Sequence, residues 1–274
     1  MADYVVTESG FGAELGAEKF FNIKCRIGRF KPDAEVLVCS VRAMKMQSGR
    51  FHVRPGRPLP PDLLEEDLDA LRSGSVNLSA HLAILQEFQL PIVVAINRFP
   101  SDSERELQLL SELALENGAD RVAITDAFQQ GGKGAIDLAQ AVTEACQLPN
   151  SFQYLYSLDL PIKEKIECLA TRVYGADAVD FAETAERQIH EIADWGFTEL
   201  PICIAKTQYS LSHDPKLSGR PRGFRLPIRE VHLAAGAGYL YALTEGINLM
   251  PGLPKKPMAK HIDLQPDGTI VGMK

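Results

Sequence analysis

The chain has 274 residues, 45% of them hydrophobic, and a formal net charge of -7. That length allows one large domain or two ordinary ones, with apolar residues enough for a sizeable core. The acidic balance argues against nucleic acid as a partner, and no apolar run approaches the roughly 18 residues of a membrane span. The first residues lack the basic-then-apolar pattern of a secretory signal. The five cysteines, Cys25, Cys39, Cys146, Cys168 and Cys203, are odd in number and form no C-x-x-C pair. They predict reduced thiols in a cytoplasmic protein rather than disulfides or a metal site.

Along the chain, residues 3–7 read as a buried-type strand. The glycines Gly10, Gly12 and Gly16 read as a loop, and residues 17–21 as the start of a helix. A strand running through glycines into a helix is how α/β proteins build ligand sites at strand carboxyl ends. Such a strand needs neighbours, so the chain reads as the later part of a larger unit. Further strands are expected at 34–41, 91–97 and 121–125, all short and rich in Val and Ile, as parallel strands under helices require. Amphipathic helices are expected at 77–88, with Asn77 as N-cap, and at 102–117, ending at Gly118. Residues 54–62 carry four prolines (Pro55, Pro58, Pro60, Pro61) and read as a long surface loop or subunit contact.

A domain boundary is expected near 148–151. Helices follow at 162–173 and 182–195, then a strand at 200–206, a polar loop to Gly223 and β-structure over 224–243. The proline-rich segment 250–257 precedes a hairpin around Asp267-Gly268. The rhythm predicts an α/β fold: part of a doubly wound, mostly parallel sheet in 1–150, and a smaller α+β domain in 151–274.

The glycine pattern is one residue too long for the G-x-G-x-x-G dinucleotide fingerprint, and Glu8, Glu14 and Glu18 would crowd a diphosphate with carboxylates. Glu14 and Glu18 are expected to decorate the first turns of a helix, where the dipole favours them. Glu8, at the strand's end, is the better candidate for a site. The strand at 91–97 runs into Asn97-Arg98-Phe99-Pro100. Asn offers a donor and an acceptor, Arg a fork for phosphate or carboxylate, and Phe99 a flat face held by Pro100. Ordinary packing of Phe99 with a surface ion pair for Arg98 stays open as the alternative. Lys206, Thr207, Gln208 and Ser210 form a dense polar set without an assigned role. Ser212-His213-Asp214 cannot be a hydrolase triad, because adjacent residues do not converge as that relay requires.

The blocks "ADYVVTESGFGAELGAEKFFNIKCR", "VRAMKMQSG", "PIVVAINRFPSD", "GGKGAIDLA", "EKIECLATRVYGA", "LPICIAKTQYSLSHDP" and "GAGYLYALTEGINLMPGLPKKP" follow one another in this order. They resemble the formate–tetrahydrofolate ligase (10-formyltetrahydrofolate synthetase) family, over its carboxyl-terminal half. The resemblance implies a P-loop NTPase-like sheet whose phosphate loop, of the type Gly-x-Gly-Lys-Thr, does not occur in this chain. It implies ATP with Mg2+, formate and tetrahydrofolate as substrates, and a monovalent cation. Phe99 and Pro100 would wall a pterin pocket with Ile124, and Phe128 stands where the family has a tryptophan that stacks from the opposite side. Glu8, Gly10, Gly12, Asn97 and Arg98 would lie on the nucleotide and phosphate side, with no residue assigned to catalysis or to a metal. Homo-oligomerisation, or association with a separately encoded amino-terminal half, is the expected assembly. A non-catalytic folate-binding or interaction module, or a remnant of the enzyme, is the competing expectation.

Overall fold

The computed structural model describes residues 2–53, 57–247 and 255–272. Pro55, residues 250–254 of the proline-rich segment and the final Met273-Lys274 lie outside the described residues. The architecture is mixed α/β with several parallel sheets. β1 (Glu35–Cys39), β2 (Ile92–Asn97) and β3 (Arg121–Thr125) form a parallel sheet in the order β1-β2-β3. Its register sets Cys39 opposite Ile96, and Asn97 opposite Thr125. β2 is apolar on both faces because it is central, as the run of Val and Ile foretold.

Residues 3–7 do not form the expected strand. They pair with no strand among the described residues, and Val5 and Val6 are 82% and 86% exposed. The reason lies in the ladder: a parallel strand is stable only where a neighbour takes its N–H and C=O groups, and propensity alone cannot supply that neighbour. The expected glycine loop is also shorter. The chain turns helical already at Gly12, with π-type segments Gly12–Ala17 and Phe20–Cys25 leading into α1 (Arg26–Gly28).

Around the first sheet lie α2 (Val41–Gln47), a 3-10 turn at Pro61–Leu64, α3 (Leu68–Gly74), α4 (Val76–Gln86) and α5 (Glu104–Glu116). α6 (Ala127–Gln130) and α7 (Ile136–Ala145) follow β3. α5 opens with a capping box: the Ser103 hydroxyl accepts from Glu106 N–H, and the Glu106 carboxylate accepts from Ser103 N–H. Asn77 is not the cap of α4. Ser75 occupies that position, and Asn77 is buried inside the helix, donating from Nδ2 to the Gly219 carbonyl at 2.9 Å. α7 covers Val93 and Ala123 on one face of the sheet, while Val36 and Val38 of β1 stay 41% and 64% exposed.

Beyond residue 150 come α8 (Ile162–Arg172), β4 (Ala178–Phe181), α9 (Glu183–Asp194), β5 (Ile202–Ala205), β6 (Arg225–Ile228), β7 (Glu230–Ala234) and β8 (Tyr239–Leu243). β4 and β6 pair in parallel, as do β5 and β8, while β7 joins β8 antiparallel. The expected hairpin is present as β9 (Asp263–Leu264) and β10 (Ile270–Val271). One apolar core runs across residue 150. Phe21 meets Phe88 at 4.5 Å and Phe152 at 5.8 Å between ring centroids, and the Tyr156 hydroxyl bonds both N–H and C=O of Ile202. All five cysteines are free thiols. Among the described residues, no helix is long and apolar enough to cross a membrane.

Candidate functional site

The carboxyl edge of β1–β3 gathers most of the expected site residues. β2 delivers Asn97, and the Arg98 N–H continues the ladder by donating to Thr125 C=O at 3.0 Å. The Arg98 guanidinium then turns to Glu104 at the start of α5. Phe99 and Asp102 close a turn on each other: Phe99 N–H donates to Asp102 Oδ2 at 2.9 Å, and Asp102 N–H to Phe99 C=O at 2.9 Å. Burial raises the Asp102 carboxyl above its ordinary range, against the pull of the Phe99 N–H. Arg42, from the first turn of α2, lies over the Phe99 ring with its guanidinium carbon 3.3 Å from the centroid. That contact fixes one face of Phe99. Pro100 is exposed beside it.

From β3, Ile124 packs against the main core. Asp126 N–H and the Thr125 hydroxyl both donate to Gly134 C=O, folding the following turn back on itself. This leaves Phe128, on α6, 90% exposed. Neighbouring parallel strands lie about 4.8 Å apart, so Phe99 and Phe128 leave the sheet from adjacent strand ends. A phenyl ring this exposed packs on nothing among the described residues, and a flat ligand is what such a face can take.

Glu8, Gly10 and Gly12 belong to a different neighbourhood. Glu8 and Gly10 are exposed, and the turn they start is tied to α4 and to the loop after β5. Gly12 adopts φ +76°, and a Cβ there would lie 2.5 Å from Glu14 Oε2. A Cβ on Gly16 would lie 1.7 Å from the Gly10 carbonyl oxygen. Both positions therefore exclude a side chain.

Beneath this turn sits a buried polar centre. Glu14 Oε1 is 3.5 Å from Lys206 Nζ, and Glu14 Oε2 is 3.5 Å from His81 Nδ1 on α4. Lys206 also donates to the carbonyls of Thr207 and Ser210 and lies 5.2 Å from the Tyr174 ring centroid. Burial lowers the Lys206 ammonium to about 8 against the pull of Glu14, and lowers His81 below its ordinary value. Glu18, one helical turn on, accepts from Asn22 Nδ2 at 2.9 Å, and burial raises it to about 7.

A formate–tetrahydrofolate ligase family model matches residues 1–274. The chain belongs to the formate–tetrahydrofolate ligase family. It is 52% identical over 272 residues to the formate–tetrahydrofolate ligase of Roseiflexus sp. (strain RS-1), covering 99% of this chain and 48% of that relative. It is 50% identical over 274 residues to the enzyme of that name from Symbiobacterium thermophilum, covering 100% of this chain and 48% of the relative. It is 46% identical over 273 residues to the C-1-tetrahydrofolate synthase, cytoplasmic, of Schizosaccharomyces pombe, covering 99% and 29% respectively. The chain spans about half the length of the bacterial relatives it matches.

Within this member of the formate–tetrahydrofolate ligase family, sequence reasoning missed the buried centre. Glu14 and Glu18 do not decorate an exposed helix start: they are 3% and 0% exposed. His81, on α4, faces Glu14. The available signal was Lys206-Thr207-Gln208 directly after an apolar strand, since polar residues there need a buried counter-charge. Ser212 serves a local turn, bonding the Ser210 hydroxyl at 2.9 Å and accepting from Asp214 N–H.

Proposed function

We propose that this chain supplies the folate-binding part of an ATP-dependent formate–tetrahydrofolate ligase, which makes 10-formyltetrahydrofolate, ADP and phosphate. Family membership supports the reaction, and the observation that carries the folate role is the bare Phe128 ring one strand away from the Arg42-backed Phe99. A formate oxygen attacks the γ-phosphorus of ATP, the bond to ADP breaks, and formyl phosphate forms. The folate nitrogen then attacks the formyl carbon, phosphate leaves with the bonding electrons, and the nitrogen's proton passes to solvent. Phosphorylation is needed because hydroxide is too poor a leaving group for direct acyl transfer. Stacking contributes by holding the nitrogen near the acyl carbon.

In this reading Phe99, Pro100, Ile124 and Phe128 take the pterin. Asn97 and Arg98, with Glu8, Gly10 and Gly12, face the nucleotide and formyl phosphate. The sheet β1–β3 is part of a doubly wound, P-loop NTPase-like sheet in 1–150, and 151–274 is a second, smaller domain. The phosphate loop comes from an amino-terminal half. Mg2+ travels with the ATP phosphates, since no three His, Cys, Asp or Glu side chains converge among the described residues. A monovalent cation belongs to the completed site. The exposed Val36 and Val38 support a covering partner, either that half or a second copy. The name of the fission-yeast relative supports a cytoplasmic location.

A second reading is a non-catalytic folate-binding module. Tetrahydrofolate titrated into the chain tests the shared part. Phe128→Ala is expected to weaken binding at least several-fold with the melting temperature unchanged, and Phe128→Trp to tighten it. Equal affinity in all three proteins rejects the pocket. Adding the amino-terminal half of the Roseiflexus relative separates the readings: ATP- and formate-dependent product marks the ligase, and binding without product the module.

A further inference from the structure

In the turn at Gly10–Gly16, Ala13 packs into the apolar core and Glu14 and Gly16 are buried, while the residues leading into it are not held. Residues 4–10 are exposed, and Phe11 provides no side-chain cap to the helix that starts at Gly12. Glu14, the first-turn carboxylate that would ordinarily serve the helix N-terminus, points to Lys206 and His81 instead. Its carboxylate fills the space that a side chain at position 12 would occupy. The carboxylate therefore lies against the Gly12 backbone on the side a Cβ would take. Lys206 is held from behind by the Thr207 and Ser210 carbonyls, so its ammonium is a fixed point 192 positions away in sequence. Lys19 adds a separate tie, donating to Ile204 C=O at 3.3 Å, but it acts on the helix body rather than on the turn.

We propose that Lys206 is a positioning residue: its ammonium holds the Glu14 carboxylate beneath Gly12 and so sets the backbone of the glycine turn. The functional meaning of this rests on the reading that the turn faces nucleotide. The pair contributes geometry more than net stability, because a buried ion pair can be exchanged for apolar groups at little cost. What the apolar exchange removes is the ion-pair tie between the turn and the loop after β5.

Hydrogen exchange on the full chain tests this. In Lys206→Met, and in the double variant Glu14→Gln/Lys206→Met, amides of residues 10–17 are expected to exchange about ten-fold faster or more, with those of β2 unchanged. The double variant buries no net charge, so it carries the test if the single variant fails to fold. Wild-type exchange over 10–17 in the double variant overturns the proposal. So does a loss of protection shared equally by β2, which marks a purely global effect. MgADP titrated into the same samples reads the function: wild-type binding with at least ten-fold weaker binding in the variants supports both ideas. No MgADP binding to the wild-type chain with the amino-terminal half of the Roseiflexus relative added removes the nucleotide reading of the turn, and the exchange result still decides Lys206.

Discussion

Two buried lysines support the two halves of the candidate site, and they are finished to different degrees. Lys45, under the open edge of β1–β3, bonds Glu106 at 2.8 Å and the Glu65 carbonyl at 2.7 Å. Glu106 also accepts from the N–H groups of Asp67 and Ser103. Burial pushes Glu106 up, but Lys45 and those N–H groups outweigh it and hold the carboxyl below its ordinary value. Lys206, under the glycine turn, is 3.5 Å from Glu14, while Glu14 Oε2 and His81 Nδ1 have no hydrogen-bond partner among the described residues. A fully bonded pair is a clamp for α2, α3 and α5. In the pair under the glycine turn Lys206 is bonded by Glu14 and two carbonyls, the carboxylate is the unfinished partner, and burial lowers the lysine to about 8.

The largest effect should come from breaking the finished clamp. Lys45→Ala leaves Glu106 buried without its cation, and urea unfolding should show a loss of about 3–5 kcal/mol. A loss under about 1 kcal/mol would mean that the two centres do not differ in kind.

Next comes a pH effect beneath the glycine turn. Glu18 is raised from 4.5 to about 7 by burial, so between those values the folded chain holds a proton that the unfolded chain has released. Its contribution to stability is complete below pH 4.5 and is lost as pH rises through 7, about 3 kcal/mol in all. Glu35 acts in the same direction: burial raises it, and neither of its carboxyl oxygens has a partner among the described residues. Glu18→Gln should therefore flatten, without abolishing, the fall in urea midpoint between pH 5 and 8. An unchanged slope would show that Glu18 is solvated.

At the open edge the cost should appear in binding. Phe99→Ala is expected to weaken tetrahydrofolate by about 1–3 kcal/mol, the scale of stacking on one aromatic ring. If the ring serves only packing, the melting temperature falls and the affinity stays. The smallest effect is expected at Arg98. Its ion pair with Glu104 is exposed, so Arg98→Ala should change stability by less than about 1 kcal/mol in thermal melts. A clear loss of MgADP affinity in that variant would put Arg98 on the nucleotide side.

Much of this was written in local pattern. The strands at Ile92–Asn97 and Arg121–Thr125, the helix ending before Gly118, the paired helices after residue 160 and the final hairpin all follow from apolar runs, caps and turn residues. So does the gathering of Asn97, Arg98, Phe99 and Phe128, because consecutive βα units put their strand ends on one edge. The ordered motifs alone were enough to reach the family. Two things needed the tertiary structure. Residues 3–7 have strand propensity but pair with no strand among the described residues, and a ladder is a property of two segments. Of three glutamates in one short stretch, Glu8 is exposed while Glu14 and Glu18 are buried, because the helix starting at Gly12 turns those two toward His81, Asn22 and Lys206. Spacing of four places Glu14 and Glu18 on one helix face, but only the chain returning at Lys206 decides that this face points inward.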